Sequence, residues 1–297
     1  MQNQLVNCAR RSAWLLLLVI ALSGSLAAQS DETSRSWNRP VKPFRIIGNI
    51  YYVGATEVSA FLITSPQGHI LLDSGFAETV PQIRENLKQL GFKLEDVRLL
   101  INGHAHYDHA GGLAELKALT GAKLAVSEAD AAQLAVGGRG DFQWGDTLAF
   151  APVKADRILH DGDTVEVGGV WLVAHLTPGH TRGNTTWTME VKDDGKTYNV
   201  VFIGSTSAPG YKLVNNAKYP KIVADYQRSF RVLESLPCDV FLGPHGSMFG
   251  LLDKIAKLEQ GAAANPFIDP QGYRQFVEES KKSFYEQLKA QQATKAK

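Results

Sequence analysis

Short apolar runs separated by turn residues dominate the first half of the chain. Gly- and Pro-containing segments bound four runs rich in β-branched and aliphatic residues, and these runs predict strands. The predicted strands are 50–53, 60–63, 70–73 and 97–101. Apolar side chains recur at helical spacing over 79–90, and Gly91 stands just beyond the last of them, so this stretch predicts a helix.

The second half repeats the alternation of strand-like runs and helical patterns. Strands are predicted at 170–176, 185–189, 200–203 and 240–242, and helices around 222–233, 251–258 and 273–288. No linker rich in Pro, Gly or Ser and no low-complexity tract divides the sequence. A mixed order of this kind is typical of a layered α/β protein with sheets in the middle and helices outside.

The N-terminus has the pattern of an export signal. Arg10 and Arg11 precede an apolar run over 14–22, and Ser25-Leu26-Ala27 fits a small-x-small cleavage site. We therefore expect a signal peptide over 1–27, a single domain over 28–297 and a periplasmic location. The alternative is an uncleaved membrane anchor, but the apolar run is short for a bilayer. The arginine pair also fits twin-arginine export, whereas the Leu-rich core favours ordinary secretion.

Composition and charge narrow the class of protein. The chain has 44% hydrophobic and 21% charged residues and a net charge of +1, which is typical of a soluble globular protein and gives no electrostatic case for a nucleic-acid partner. Cys8 precedes the apolar run and is expected to leave with the signal peptide. Cys238 then stands alone in the mature chain, where we expect a buried, unreactive thiol rather than a nucleophile.

Candidate metal ligands are concentrated in the run His104-Ala105-His106-Tyr107-Asp108-His109, directly after the predicted strand 97–101. Loops at the C-terminal ends of strands are where α/β proteins assemble sites. Neutral imidazoles and carboxylates are standard zinc ligands, and a catalytic site keeps one position open for water. Four such groups cannot share one tetrahedral ion and leave that position free, so two ions are expected. A structural zinc site is the alternative, but such sites are usually closed and rich in cysteine.

Two later histidines have the same strand-to-loop context. His180 lies in a Pro-Gly turn between two predicted strands, and His245 follows the strand predicted at 240–242. Both are candidate ligands for the same metal centre. For His69, His160 and His175 we expect ordinary structural roles, because an isolated histidine commonly satisfies only a hydrogen bond.

At these residues the sequence resembles the metallo-β-lactamase superfamily. The resemblance implies an αββα sandwich, in which two mixed β-sheets are flanked by helices. It also implies two Zn²⁺ cofactors: His104, His106 and His180 would bind one ion, and Asp108, His109 and His245 the other.

The segment after the strand 200–203 points to a subclass. Thioesterases and lactonases of the superfamily place a bridging aspartate there, and subclass B1 β-lactamases place a cysteine. This chain has Ser205, which resembles subclass B3. The stretches 37–40, 137–142 and 265–270 resemble that subclass as well. One departure is that some B3 enzymes carry a late disulfide, of which Cys238 matches only one half.

The resemblance implies hydrolysis of the β-lactam amide bond of penicillins, cephalosporins and carbapenems, and hence antibiotic resistance. A zinc-bound hydroxide would attack the carbonyl, with His104, His106 and Asp108 as catalytic residues and Asp108 orienting the hydroxide. The second zinc would stabilise the departing nitrogen. The partner would be a small β-lactam molecule, with no stable membrane association after signal cleavage, and the protein is expected to be a monomer.

Four residues are candidates for substrate binding. Ser205 and Ser207 resemble the B3 serines that bind the substrate carboxylate, although simple strand capping is the alternative. Trp37 and Phe142, with Trp144 beside them, are candidates for an apolar wall around the substrate side chain. Core packing is the more usual role of such aromatic residues.

Three rival functions remain to be compared. A serine β-lactamase needs a Ser-x-x-Lys motif, which the chain lacks. A lactonase or thioesterase could use the same metal centre, but Ser205 in place of the bridging aspartate counts against it. A non-catalytic zinc-binding protein of the cell envelope would keep the ligands without turnover.

The set of candidate ligands favours zinc but is also compatible with manganese or iron as the bound metal.

Overall fold

The computed structural model describes residues 32–295 and confirms the predicted αββα sandwich. Two β-sheets pack face to face, and helices cover their outer faces. The predicted signal peptide, 1–27, and Cys8 lie outside the described residues. Within 32–295, no helix is both long and apolar enough to span a bilayer.

The larger sheet has seven strands that follow one another in chain order. They are β1 (Phe44–Ile47), β2 (Ile50–Tyr52), β3 (Phe61–Ser65), β4 (Gly68–Leu72), β5 (Val97–Ile101), β6 (Lys123–Ser127) and β7 (Arg157–Leu159). The pairs from β1 to β4 are antiparallel, and those from β4 to β7 are parallel. The carboxyl ends of β4, β5 and β6 therefore meet at one edge of the sheet.

The smaller sheet has five strands. They are β8 (Thr164–Val167), β9 (Val170–Leu176), β10 (Thr185–Asp193), β11 (Lys196–Phe202) and β12 (Val240–Leu242). Their order across the sheet is β12-β11-β10-β9-β8, with β11 and β12 parallel and the other pairs antiparallel. The parallel pair brings the loops that follow β11 and β12 to the same edge.

Seven α-helices have fully described bounds. They are α1 (Val80–Gln89), α2 (Tyr107–Ala110), α3 (Leu113–Thr120), α4 (Glu128–Ala135), α5 (Ile222–Ser235), α6 (Leu251–Glu259) and α7 (Pro270–Lys295). Residues 32–37 are also helical, and 3₁₀ turns occupy Ala77–Thr79, Leu94–Asp96 and Gly246–Phe249. As the spacing predicts, α1 buries Val80, Ile83 and Leu87. It ends before Gly91, whose φ of 82° suits glycine.

Aromatic side chains from both sheets fill the space between the two layers. Phe61 of β3 contacts Phe202 of β11 with ring centroids 5.2 Å apart. Trp187 of β10 is fully buried, and its Nε1 donates a hydrogen bond to the carbonyl of Asn102 at 3.2 Å. Burial of one such side chain contributes about 1.5–3 kcal/mol. These contacts hold the sheets in a fixed relationship at the edge where the site lies.

Some elements have no strong sequence signal. All predicted strands and helices are present within a few residues, but β1, β6, β7, β8, α2, α3, α4 and the helix at 32–37 were not predicted. β7 illustrates the reason, because it has only three residues, of which two are exposed. It is a strand because it pairs with β6, a contact distant in sequence, rather than because of its own pattern.

Candidate metal centre

The candidate site lies where five strands of the two sheets end. The polar residues that form the site stand in the loops that follow β4, β5, β9, β11 and β12. The loop after β5 enters the helical turn α2, whose first turn presents Asp108 and His109. The loop after β12 is held by a β-bridge between Val58 and His245. The structure thus brings together all six predicted metal ligands.

His104, His106 and His180 form the first group. The three side chains are buried, and one ligand atom from each lies within 4.8 Å of the others. Nδ1 of His106 and Nε2 of His180 are 3.1 Å apart. The rings of His104 and His180 are perpendicular, with centroids 4.6 Å apart. Three imidazoles therefore converge on one point from two separate loops.

Asp108, His109 and His245 form the second group. Oδ2 of Asp108 lies 3.2 Å from Nε2 of His109 and 3.7 Å from Nε2 of His245. The two Nε2 atoms of His109 and His245 are 3.3 Å apart. His104 also lies within ligand distance of Asp108 and His109, so it adjoins both groups. The two groups are neighbours, as in a centre with two ions.

The arrangement fits metal ions. Two nitrogen ligands of a tetrahedral zinc, each about 2.05 Å from the ion, lie about 3.3 Å from each other. The nitrogen pairs of the two groups, at 3.1 Å and 3.3 Å, have this spacing. Five imidazoles and one carboxylate form a donor set that suits zinc. Three protein ligands for each ion would leave a position open for water and substrate.

Three of the histidines are held in the neutral form. Burial lowers the pKa of His104 and His180 well below 6.5, and the neighbouring histidines lower it further. Burial also lowers the pKa of His245 to about 4, assisted by repulsion from His109. Neutral imidazole is the form that binds a metal, so the fold prepares these ligands before any ion arrives.

Asp108 and His109 form a charged pair inside the cluster. Burial alone raises the pKa of Asp108, but attraction to His109 outweighs it and brings that pKa below its usual range. Burial likewise lowers the pKa of His109, whereas the Asp108 carboxylate raises it to a net value above 6.5. Asp108 is therefore an ionised carboxylate, ready to bind a cation.

A network behind His180 fixes the orientation of its ring. Nδ1 of His180 lies 2.7 Å from the carbonyl oxygen of Ser207, so Nδ1 carries the proton and donates it. Nε2 is then free to bind a metal. The hydroxyl of Tyr226 donates to the same carbonyl at 2.6 Å, and that of Tyr211 donates to the carbonyl of His180 at 3.1 Å.

Two buried aspartates behind the ligands were not predicted. Asp73 accepts hydrogen bonds from the backbone N–H of Gly103 and from Asn102, both at 2.7 Å, and its φ of 63° is unusual for a residue with a Cβ. Asp130 binds the loops that carry His104 and His180. Burial raises the pKa of both carboxyls to about 6. The position of Asp73, directly after a strand, was the available sequence signal; Asp130 had none.

The predicted carboxylate-binding serines lie next to the first group. Ser205 is buried and its backbone N–H donates to Asn184 at 2.7 Å. Its hydroxyl lies 3.2 Å from that of Ser207, which is exposed and 3.3 Å from Nδ1 of His180. Their position beside the cluster is compatible with substrate binding, which stays a prediction.

The predicted aromatic wall divides into two parts. Trp37 is half-buried and contacts the His245 ring edge-on, with centroids 5.1 Å apart, so it adjoins the cluster. Phe142 is only 6% exposed and packs between Tyr211 and Tyr219. Trp144 contacts Tyr211 from outside. The burial of Phe142 favours the packing alternative, in which it supports Tyr211.

The remaining histidines and Cys238 stay outside the site. His69 packs against Phe92, His160 is exposed, and His175 shares a hydrogen bond with Thr188 at 2.8 Å. Cys238 is a free thiol packed against the core, and burial raises its pKa to about 12. The raised pKa keeps the thiol protonated at neutral pH, as expected for an unreactive cysteine, although the side chain is half-buried rather than buried.

Comparison with known proteins identifies the family. Residues 53–245 match the model of the metallo-beta-lactamase superfamily. The chain is 47% identical to the FEZ-1 metallo-β-lactamase from Legionella gormanii, with a TM-score of 0.84 over 86% of this chain and 98% of that one. It is 39% identical to BJP-1, a subclass B3 metallo-β-lactamase of Bradyrhizobium japonicum, with a TM-score of 0.82 over 87% and 97% of the two chains. The chain belongs to the metallo-β-lactamase superfamily, subclass B3. 

Curated relatives of this metallo-β-lactamase are more distant. A hydroxyacylglutathione hydrolase of Serratia proteamaculans is 29% identical over 129 residues, which are 43% of this chain and 41% of that protein. The match thus spans less than half of the relative's length. The similarity to B3 structures instead covers 98% of the FEZ-1 chain and 97% of the BJP-1 chain.

Proposed function

We propose that this B3 metallo-β-lactamase binds two zinc ions and hydrolyses the β-lactam amide bond of penicillins, cephalosporins and carbapenems in the periplasm. One observation carries the proposal. A largely buried cluster of five histidines and Asp108 adjoins two serine hydroxyls 3.2 Å apart. The cluster can hold the metal ions that activate the amide bond for hydrolysis, and the serine hydroxyls can bind the carboxylate that β-lactam antibiotics carry.

The ligand sets follow the two groups of the cluster. His104, His106 and His180 would hold one zinc, and Asp108, His109 and His245 the other. Zinc, when bound, polarises a carbonyl oxygen and makes water nucleophilic at neutral pH. No serine nucleophile is then required.

The protein's own residues bind and orient the reactants. Asp108, ionised because of its attraction to His109, can accept a hydrogen bond from the attacking water and direct its lone pair at the carbonyl carbon. The hydroxyl of Ser207, exposed beside the cluster, can donate to the substrate carboxylate. The carbonyl of Ser207 keeps the His180 ring in place through its hydrogen bond to Nδ1.

The deciding experiment is carbapenem hydrolysis by the purified protein, followed by absorbance. We expect turnover that a chelator abolishes and added zinc restores. Two zinc ions per chain by elemental analysis would support the number proposed. A zinc-loaded protein that cleaves no penicillin, cephalosporin or carbapenem would contradict the proposal.

A second candidate activity is thioester or lactone hydrolysis. The similarity to a hydroxyacylglutathione hydrolase favours it, and the same metal centre could serve it. Ser205, which resembles the B3 pattern, favours the β-lactam. The same zinc-loaded preparation should be assayed with a glutathione thioester and an acylated lactone. Rapid turnover of either one, without β-lactam turnover, would make it the main function.

A further inference from the structure

A cavity of about 470 Å³ adjoins the metal cluster on the His245 side and has no part in the proposed mechanism. Its walls include Trp37, Arg39, Glu57, His245 and Met248. The volume is within the range of small-molecule sites. Because His245 is both a wall of the cavity and a predicted metal ligand, a substrate bound at the cluster can extend a substituent into this space.

The backbone at Arg39 is anchored. Its carbonyl accepts a hydrogen bond from the N–H of Thr56 at 3.0 Å, and the next residue, Pro40, forms a β-bridge with Ala55. The Arg39 side chain is exposed, and its Nε donates to the carbonyl of Ser36 at 3.2 Å. In the part of the chain that the structure describes, it forms no ion pair. The other guanidinium nitrogens can therefore receive an anion.

Glu57 lines the same cavity with the opposite charge, but its carboxylate is already engaged. One oxygen of this side chain faces the turn after β12: Oε2 accepts from the hydroxyl of Ser247 at 2.8 Å and from its backbone N–H at 3.2 Å. Glu57 and Arg39 both lie in the described part of the chain, and they do not form a salt bridge with each other. Arg39 is therefore the charged group in this cavity whose N–H donors remain open to an anion.

The proposed function implies how a β-lactam is oriented between the two serines and the cavity. If the ring carboxylate binds at Ser205 and Ser207, it lies on the His180 side of the cluster. The acylamino substituent is attached at the opposite end of a bicyclic β-lactam. It then points toward His245 and Trp37, whose rings are 5.1 Å apart, and so toward the cavity.

We propose that Arg39 is a specificity-determining residue that binds a second carboxylate, carried on the acylamino side chain of the β-lactam. The inference rests on the proposed function. Trp37 would contact the apolar part of that side chain, and the guanidinium would pair with its anion. An exposed ion pair contributes modestly, so the expected preference is a few-fold.

Benzylpenicillin and carbenicillin test the proposal, because they differ by a single carboxylate on the acylamino side chain. The quantity to compare is the ratio of kcat/KM for carbenicillin to that for benzylpenicillin. We expect Arg39→Ala to lower this ratio about threefold, and Arg39→Lys to keep most of it. Added salt should lower the ratio in the unmodified enzyme and change it less in Arg39→Ala.

Lys42→Ala is the matched control. Lys42 is exposed and carries the same charge close by in the sequence, but it does not line the cavity. This variant should keep the ratio of the unmodified enzyme. Equal ratios in Arg39→Ala and the unmodified enzyme would overturn the proposal, as would an equal fall in Lys42→Ala. If the zinc-loaded enzyme hydrolyses no penicillin, cephalosporin or carbapenem, the proposed function fails first and the role of Arg39 falls with it.

Discussion

The carboxylate of Asp130 accepts a hydrogen bond at 3.0 Å from the backbone N–H of Ala105, the residue between His104 and His106. The same oxygen accepts from the hydroxyl of Thr181 at 3.1 Å, and the other oxygen accepts from the N–H of Gly183 at 3.1 Å. A single buried side chain on α4 thus joins the two loops that carry the first group of ligands. Partners of this kind orient metal ligands.

Asp130→Asn should weaken the first metal site. Asparagine has an NH₂ group in place of one carboxylate oxygen. This group cannot accept the hydrogen bonds that the oxygen now receives, so one of the two loops must move. We expect a 10- to 100-fold loss in zinc affinity or in kcat, as is typical for partners of metal ligands. Zinc content during chelator titration and kcat for a carbapenem measure the effect. Asp253→Asn, the same change at an exposed site, is the control. Equal zinc affinity in both variants would exclude this positioning role.

Removal of one ligand from each group should separate the two metal sites. Asp108→Asn removes the only carboxylate of the second group, and His180→Gln removes a nitrogen of the first. We expect about one zinc per chain in each variant and a loss of activity of at least about a hundredfold, since loss of a direct ligand costs more than loss of its supporting partner. Elemental analysis and carbapenem turnover provide the measurements. Two tightly bound zinc ions in Asp108→Asn would contradict the assignment.

Ser207→Ala should impair binding of the substrate carboxylate. A hydrogen bond to a charged group contributes about 1.5–3 kcal/mol, so we expect KM to rise about tenfold or more, with a smaller change in kcat. Zinc content should be unchanged, because the backbone carbonyl of Ser207, rather than its side chain, makes the 2.7 Å contact with His180. With the methyl ester of the same β-lactam, the variant and the unmodified enzyme should have similar KM. A tenfold difference that persists with the ester would argue against this role.

The metal-free protein should lose stability in acid. The pKa values of His104 and His180 are lowered and that of His245 is about 4, so the unfolded chain binds more protons than the folded one below pH 6.5. Their stabilising effect is complete above pH 6.5 and is lost as the pH falls toward 4. For His245 the loss is on the order of 3 kcal/mol. His109, with its raised pKa, acts in the opposite sense.

Thermal unfolding of the chelator-treated protein at pH 7.5 and at pH values down to 4.5 measures this dependence. We expect Tm to fall with decreasing pH, and His245→Gln to reduce the fall. His160→Gln is the matched control, because its side chain is 77% exposed and belongs to neither group of candidate ligands. A dependence on pH that is the same in His245→Gln as in the unmodified protein would contradict the prediction.

The kind of fold and the candidate ligands follow from the amino-acid sequence alone. The helical spacing of apolar residues predicted α1, and aliphatic runs bounded by turn residues predicted β5, β9 and β12. The run from His104 to His109 supplied four of the candidate ligands, because three histidines and an aspartate at this spacing are typical of a metal site. The strand-to-loop context added His180 and His245.

Which of these groups meet, and which residues support them, depends on contacts between segments that are distant in sequence. β7 exists because β6 pairs with it, and the 3.3 Å contact of His109 with His245 spans 136 positions of the chain. Asp130 lies on a helix without any motif, and its role follows from contacts with Ala105 and Gly183 on two other loops. Phe142 belongs to a buried cluster because Tyr211 and Tyr219 cover it. Local sequence encodes periodicity and ligand chemistry, whereas burial and long-range pairing depend on how distant segments pack together.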